Sequence, residues 1–175
     1  MKPIVIYNSR YGTAKRYAEK LAELAGMEVV ASVNVTDTDS YDRVVYVGAI
    51  YAGRVLGLKS FAENLSDGQE LVVVTVGLTD PTDVENVQNI RNVIKSHVPE
   101  KFYDESKIFH LRGSIDYERL GILHRVLMSL IRHSASKLPV EKQDATAKAV
   151  LESYGRRVDY VDFDTLQPIL KLLKI

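Results

Sequence analysis

The stretch Ile4-Val5-Ile6-Tyr7-Asn8-Ser9-Arg10-Tyr11-Gly12-Thr13-Ala14 decides how the chain is read. Its first four residues form a short apolar run, and the next seven form a loop bearing hydroxyls, a guanidinium and one glycine. The period then changes. Tyr17, Ala18, Leu21, Ala22, Leu24 and Ala25 are apolar at helical spacing, with Lys15, Arg16, Glu19, Lys20 and Glu23 between them. A buried strand therefore runs through a polar loop into an amphipathic helix. The first N–H groups of a helix lack partners within it, and the aligned peptide dipoles add positive charge there, so the junction favours an anion such as a phosphate. Ser9 and Thr13 offer hydroxyl donors, Arg10 a charge, and Gly12 a backbone free to turn sharply. The same residues also make an ordinary strand-to-helix turn with a polar cap.

Outward from this stretch, strand and helix alternate to the end of the chain. Gly26 is placed to cap the first helix, and residues 28–35 read as a second strand. A polar turn at 36–41 leads to a third strand at 43–48, apolar on nearly every residue, as a strand covered on both faces must be. Short and longer helices follow near 58–65 and 84–98, the latter stopped by Pro99. A fourth strand lies at 70–76 and a fifth at 107–111. Amphipathic helices are expected at 118–135 and 140–154, a short extended piece at 158–161, and a last helix capped by Asp164 with Pro168 in its first turn. No repeat, linker or low-complexity segment interrupts the pattern, so residues 1–175 read as one domain. Five strands separated by helices give an α/β doubly wound parallel sheet with helices on both faces. The strand order 2-1-3-4-5 puts the ends of strands 1 and 3 side by side at the switch point, where ligands bind.

The loops at those strand ends carry the candidate site. After the third strand comes Gly48-Ala49-Ile50-Tyr51-Ala52-Gly53, with a single aromatic, and after the fourth comes Gly77-Leu78-Thr79. No Walker pattern and no G-x-G-x-x-G occurs, which disfavours nucleoside triphosphates and dinucleotides. Residues 9–14 instead resemble the flavodoxin phosphate loop, [ST]-x-x-G-x-[ST], and the strand order is the flavodoxin-like one. The family carries a hydroxyl where this chain has Ala14. The resemblance implies FMN as cofactor, with Ser9, Arg10, Tyr11, Gly12, Thr13 and Ala14 about its phosphate. An isoalloxazine ring needs an apolar slot and an aromatic face. Ala49, Ile50, Tyr51, Ala52 and Gly53 are placed to supply them, with Tyr51 stacking, Gly53 free to reorient its peptide towards the flavin N5, and Gly77, Leu78 and Thr79 opposite. Read without the resemblance, Tyr51 is a rim tyrosine and the glycines serve tight packing.

Three further segments resemble the flavodoxin-domain family that includes the menaquinone-dependent protoporphyrinogen oxidase. These are Tyr41-Asp42-Arg43-Val44-Val45 with the glycines after it and Phe61, Arg112-Gly113-Ser114-Ile115-Asp116-Tyr117, and residues 158–163. The resemblance implies cofactor contacts from Gly113, Asp116 and Tyr117, and a quinone-linked oxidoreductase whose redox partner is a quinone or another protein. It also implies peripheral membrane contact through 119–142. That segment holds Arg119, Arg125, Arg132, Lys137 and Lys142 against Glu141 alone. Leu120, Leu123, Leu127, Leu130 and Ile131 share a helix face that Ile122, Val126 and Met128 widen, and a basic amphipathic helix can lie on an anionic bilayer. Equally, such a face can be core.

Composition excludes other classes. Lys plus Arg and Asp plus Glu are both 23, so no net charge recruits nucleic acid. There is no cysteine, hence no disulfide framework or thiolate chemistry. No signal peptide opens the chain and no apolar run reaches the length of a membrane span, so the expected location is cytoplasmic, with peripheral membrane contact as an option. His97, His110, His124 and His133 lack metal-ligand spacing and read as structural, and no metal is expected. A phospho-receiver would need carboxylates at strand ends that here read Tyr7-Asn8-Ser9 and Val47-Gly48-Ala49. A soluble electron shuttle, and a fold without cofactor acting as an interaction module, remain as alternatives.

Overall fold

The computed structural model describes residues 2–35 and 37–174. The central parallel sheet consists of β1 (Pro3–Asn8), β2 (Glu28–Ala31), β3 (Arg43–Tyr51), β5 (Glu70–Gly77) and β6 (Ile108–Arg112) in the order β2-β1-β3-β5-β6. This is the expected 2-1-3-4-5 order. The numbering shifts because β4 (Arg54–Val55) folds back antiparallel on the end of β3, pairing Ile50 with Val55 and Tyr51 with Arg54. Alternate side chains of each strand serve opposite faces. Val5, Val45, Val47, Val72 and Val74 pack under α1 (Thr13–Ala25) and α6 (Gln167–Leu173). Ile4, Ile6, Val44, Tyr46 and Val73 pack with α2 (Leu58–Ala62) and α3 (Val84–His97). Two apolar faces explain why these strands read as continuous apolar runs.

A smaller cluster of Ile115, Leu120, Met128 and Val150 sits beside the sheet. It is enclosed by α4 (Ile122–Ala135), α5 (Ala145–Ser153) and a two-stranded antiparallel ribbon, β7 (Ser114–Asp116) with β8 (Arg157–Asp159). Among the described residues no helix is long and apolar enough to cross a membrane.

Several expected boundaries move, each for a physical reason. The second strand stops at Ala31, because its partner β1 ends one residue beyond the last pair, Tyr7 with Ala31; residues 32–34 turn as a 3-10 helix. The turn expected at 36–41 includes Thr36, which lies outside the described residues. Residues 49–51 are strand rather than loop, since Ala49 continues the pairing with β5 opposite Val76 and β4 pairs with Ile50 and Tyr51. Only Ala52 and Gly53 turn, with φ of 48° and 74°; two positive φ values are what a two-residue type I′ hairpin requires. The helix expected at 118–135 begins at Ile122, after a 3-10 turn over Tyr117–Arg119 capped by Asp116. The one expected at 140–154 is a 3-10 turn, Val140–Lys142, and then α5, because Asp144 accepts a hydrogen bond from the Ala147 N–H and so starts a new helix. Asp164 does not cap the last helix: Asp162 caps the 3-10 turn Phe163–Leu166, which leads into α6, and α6 has no side-chain cap of its own.

Candidate functional site

The carboxyl ends of β1, β3, β5 and β6 open into a cavity of about 470 Å3, within the range of small-molecule sites. One end is the loop before α1. Gly12, with φ of 90°, lets the chain turn directly into the helix, and no side chain caps the first turn. The helix therefore presents its N-terminal dipole and unsatisfied N–H groups to the cavity. Ser9 Oγ accepts the Gly12 N–H at 3.1 Å, and Thr13 Oγ1 lies 2.8 Å from Ser114 Oγ, tying the start of α1 to β7. Tyr17 reinforces that tie from the next turn. Its hydroxyl donates to the Arg112 carbonyl at 2.8 Å and accepts the Asp162 N–H at 3.0 Å.

The walls of the cavity are apolar. Ile50 and Tyr51 come from the β3–β4 hairpin, Leu78 from the loop after β5, and Leu127, Met128 and Ile131 from α4. The loop after β5 is held from both sides: Asn86 donates to Thr79 Oγ1 at 2.9 Å, and Arg112 Nε to the Leu78 carbonyl at 3.2 Å. A ring cluster from three elements lines the cavity as well. Arg10 lies 4.2 Å over the Tyr51 ring, His124 stacks on Tyr11 at 5.4 Å and meets Tyr51 edge-on at 5.0 Å. Tyr11 Oη and His124 Nδ1 are 2.9 Å apart. Burial, then the Arg10 charge, holds the His124 imidazole below the ordinary histidine range.

Of the sequence-predicted residues, Ser9, Arg10, Tyr11, Thr13, Ala14, Ala49, Ile50, Tyr51, Ala52, Gly53, Gly77, Leu78, Thr79 and Gly113 line this one cavity. Gly12 shapes the loop between them. Asp116 and Tyr117 stand apart from the lining. Asp116 is drawn to Arg119 and Arg157, each at 3.7 Å, and caps the turn before α4. Tyr117 packs edge-on against Tyr154 in the smaller cluster, and burial pushes its phenol up to about 12. Its hydroxyl is buried without a hydrogen-bond partner among the described residues. The residues that fit a phosphate and a flat ring therefore sit along one continuous space, an uncapped helix start at one end and an aromatic-lined slot at the other.

Sequence reasoning missed His124, read as structural, and the α5 residues Thr146, Ala149 and Val150, which also line the cavity. Nothing in the spacing of His124 signals a tertiary partner 113 residues away. Sequence reasoning also joined what the fold separates on α4. Leu127, Met128 and Ile131 turn inwards, whereas Ile122 and Leu123 are each 82% exposed, Leu130 61% and Val126 52%. Leu120 lies before the helix and is buried.

Residues 4–140 match the sequence model of the family described as Flavodoxin domain. No curated protein matches. Solved structures with a related fold include a variant flavodoxin of Fusobacterium nucleatum bound to flavin mononucleotide. It is 14% identical, with a TM-score of 0.43 and 98% of this chain and 97% of that one covered. A flavoprotein of Lactobacillus acidophilus NCFM in complex with FMN is 13% identical over 63% of this chain and 91% of its own, with a TM-score of 0.43. Oxidised Flavodoxin 1 from Bacillus cereus is 12% identical over 67% and 88%, with a TM-score of 0.44. The family match, rather than these likenesses, carries the assignment.

Proposed function

We propose that this chain, which belongs to the flavodoxin-domain family over residues 4–140, is an FMN-binding redox protein. The observation that carries the reading is the cavity that begins at the uncapped start of α1 and continues as an apolar slot past Tyr51 and Leu78. When bound, FMN supplies one- and two-electron transfer chemistry; the protein supplies binding, orientation and exclusion of water. The α1 N–H groups, with Ser9, Thr13 and Arg10, hold the phosphate. Ile50, Tyr51 and Leu78 form the slot for the ring. The test is a fluorescence titration of the flavin-free protein with FMN and with riboflavin, which lacks the phosphate. FMN should bind at least tenfold more tightly, about 1.4 kcal/mol. Equal affinity for both would remove the phosphate role of the loop.

The finer reading is a quinone-linked oxidoreductase of the protoporphyrinogen oxidase type, working against a membrane surface. It is supported by the sequence resemblance and by the exposed apolar face of α4, flanked by Arg119, Arg125, Arg132, Lys137 and Lys142, all exposed. Near an anionic bilayer each such residue is worth about 1 kcal/mol, screened within a Debye length. The protein should sediment with anionic vesicles at low salt and release as salt rises. Replacing Arg125→Glu and Lys137→Glu together should abolish sedimentation and leave FMN binding intact. Indifference to vesicles at every salt concentration would favour the soluble electron shuttle.

A further inference from the structure

The redox reading leaves open where protons come from, and the cavity answers narrowly. Its described lining contains no carboxylate and no lysine. Arginine stays protonated, and tyrosine ionises near pH ~10. His124 is thus the lining group whose ordinary titration falls near neutrality. Its ring is fixed from two other elements: Tyr11, at 2.9 Å from Nδ1, holds its orientation, and Tyr51, the expected stacking residue, meets it edge-on. Arg10, from the same loop as Tyr11, is the charge that acts on it. On its own helix Arg125 is turned away, donating to the Glu118 carbonyl at 2.8 Å. Nε2 makes no hydrogen bond among the described residues.

We infer that His124 is the proton donor for two-electron reduction of a quinone-class acceptor in this cavity, with Tyr11 as the residue that positions it. The inference rests on the FMN reading and on the quinone-linked reading above. Reduction of a quinone to its hydroquinone takes up two electrons and two protons, one on each carbonyl oxygen. Bound and reduced FMN would supply two electrons and one proton as a hydride equivalent. The second proton passes from Nε2 of the His124 imidazolium to the remaining quinone oxygen. Neutral imidazole is left, with its Nδ1–H donating to Tyr11 Oη, and solvent restores the proton, since Tyr11 is 37% exposed. Burial and the Arg10 charge both make the imidazolium a readier donor.

Two measurements decide this. In the first, NMR of histidine-labelled protein without FMN should show His124 titrating below the ordinary ~6.5, with Tyr11→Phe altering that titration. In the second, FMN-loaded protein is reduced without oxygen and mixed, across the acidic to neutral range, with a soluble naphthoquinone and separately with a one-electron iron complex that takes no proton. The wild-type quinone rate should fall as pH rises through the value found by NMR. In His124→Gln the ratio of the quinone rate to the one-electron rate should drop about 10²-fold or more and lose its pH dependence. Tyr11→Phe should lower the same ratio less. A wild-type pH profile in His124→Gln, or equal slowing with both acceptors, overturns the assignment of His124 and leaves the flavin reading standing. Protein that takes up no FMN overturns both.

Discussion

Replacing Gly48 by alanine tests whether the β3–β4 hairpin sets the position of Tyr51. A Cβ at residue 48 falls 2.4 Å from Val55 Cγ1 and 3.1 Å from Tyr46 Cε1. Carbon atoms rest at about 3.5–4.0 Å, so one neighbour must retreat by more than an ångström. Tyr46 is poorly placed to yield, because it is fully buried and its hydroxyl donates to the Leu56 carbonyl at 2.6 Å. Val55 must move, and with it the hairpin whose two rungs pair Ile50 with Val55 and Tyr51 with Arg54. Overpacking of this kind costs about 1–3 kcal/mol. At about 2–4 °C per kcal/mol for a chain of this size, a cost of ~2 kcal/mol lowers Tm by about 4–8 °C. FMN affinity should fall too, since the moved strand end carries Tyr51. Calorimetry and flavin titration measure the two effects. The deciding variant is Gly48→Ala with Val55→Ala, which removes the clashing methyl; its destabilisation should be smaller than the sum of the single changes by about 1 kcal/mol. Additivity within ~0.5 kcal/mol, or a wild-type Tm in Gly48→Ala, would refute the hairpin as the element that positions the ring.

Three further outcomes follow from the same geometry. Gly12→Val forces a β-branched residue to φ of 90°, straining the loop by about 1–2 kcal/mol, and should weaken FMN binding at least tenfold in a titration. Tyr51→Ala should cost about 1 kcal/mol of FMN affinity and relieve quenching of flavin emission, both read from one fluorescence experiment. Burial, with the Arg91 charge, pushes His110 down to about 4, where Arg91 Nε donates to Nε2 at 3.3 Å and Thr75 Oγ1 lies 2.7 Å from Nδ1. The unfolded chain takes up this proton below ~6.5 and the folded chain does not, so stability falls as pH drops from there towards 4, by at most about 1.4 kcal/mol per pH unit. Melting curves of His110→Gln should show a shallower decline across that window, and an unchanged slope would count against it.

The sheet was legible because its strands are apolar on both faces and end in distinctive loops. Val44 to Val47 and Leu71 to Val74 announce buried strands, and Gly26 marks the end of α1, whose start at Thr13 lies two residues inside the expected loop. What escaped the sequence was set by tertiary pairing. No local signal at Ala49 to Tyr51 separates a loop from a strand whose last two residues, Ile50 and Tyr51, gain a partner only when β4 folds back. Asp144 and Asp162 start helical segments through side-chain caps, but the apolar periodicity around them is compatible with longer or shifted helices. On α4 the sequence shows a wide apolar face without saying which part of it meets the cavity, and Leu123 and Leu127 end on opposite sides of that division. The ring cluster of Tyr11, Tyr51 and His124 joins three distant segments, so no spacing rule could reveal it.

The most direct test of the central claim is the visible spectrum of the purified protein, recorded as isolated and again after incubation with FMN and removal of the excess. An FMN redox protein should be yellow, with bands near ~370 and ~450 nm, one flavin per chain, and should bleach on anaerobic reduction and recover on reoxidation. A well-folded protein that stays colourless after exposure to FMN would contradict the account and leave the cavity to another ligand.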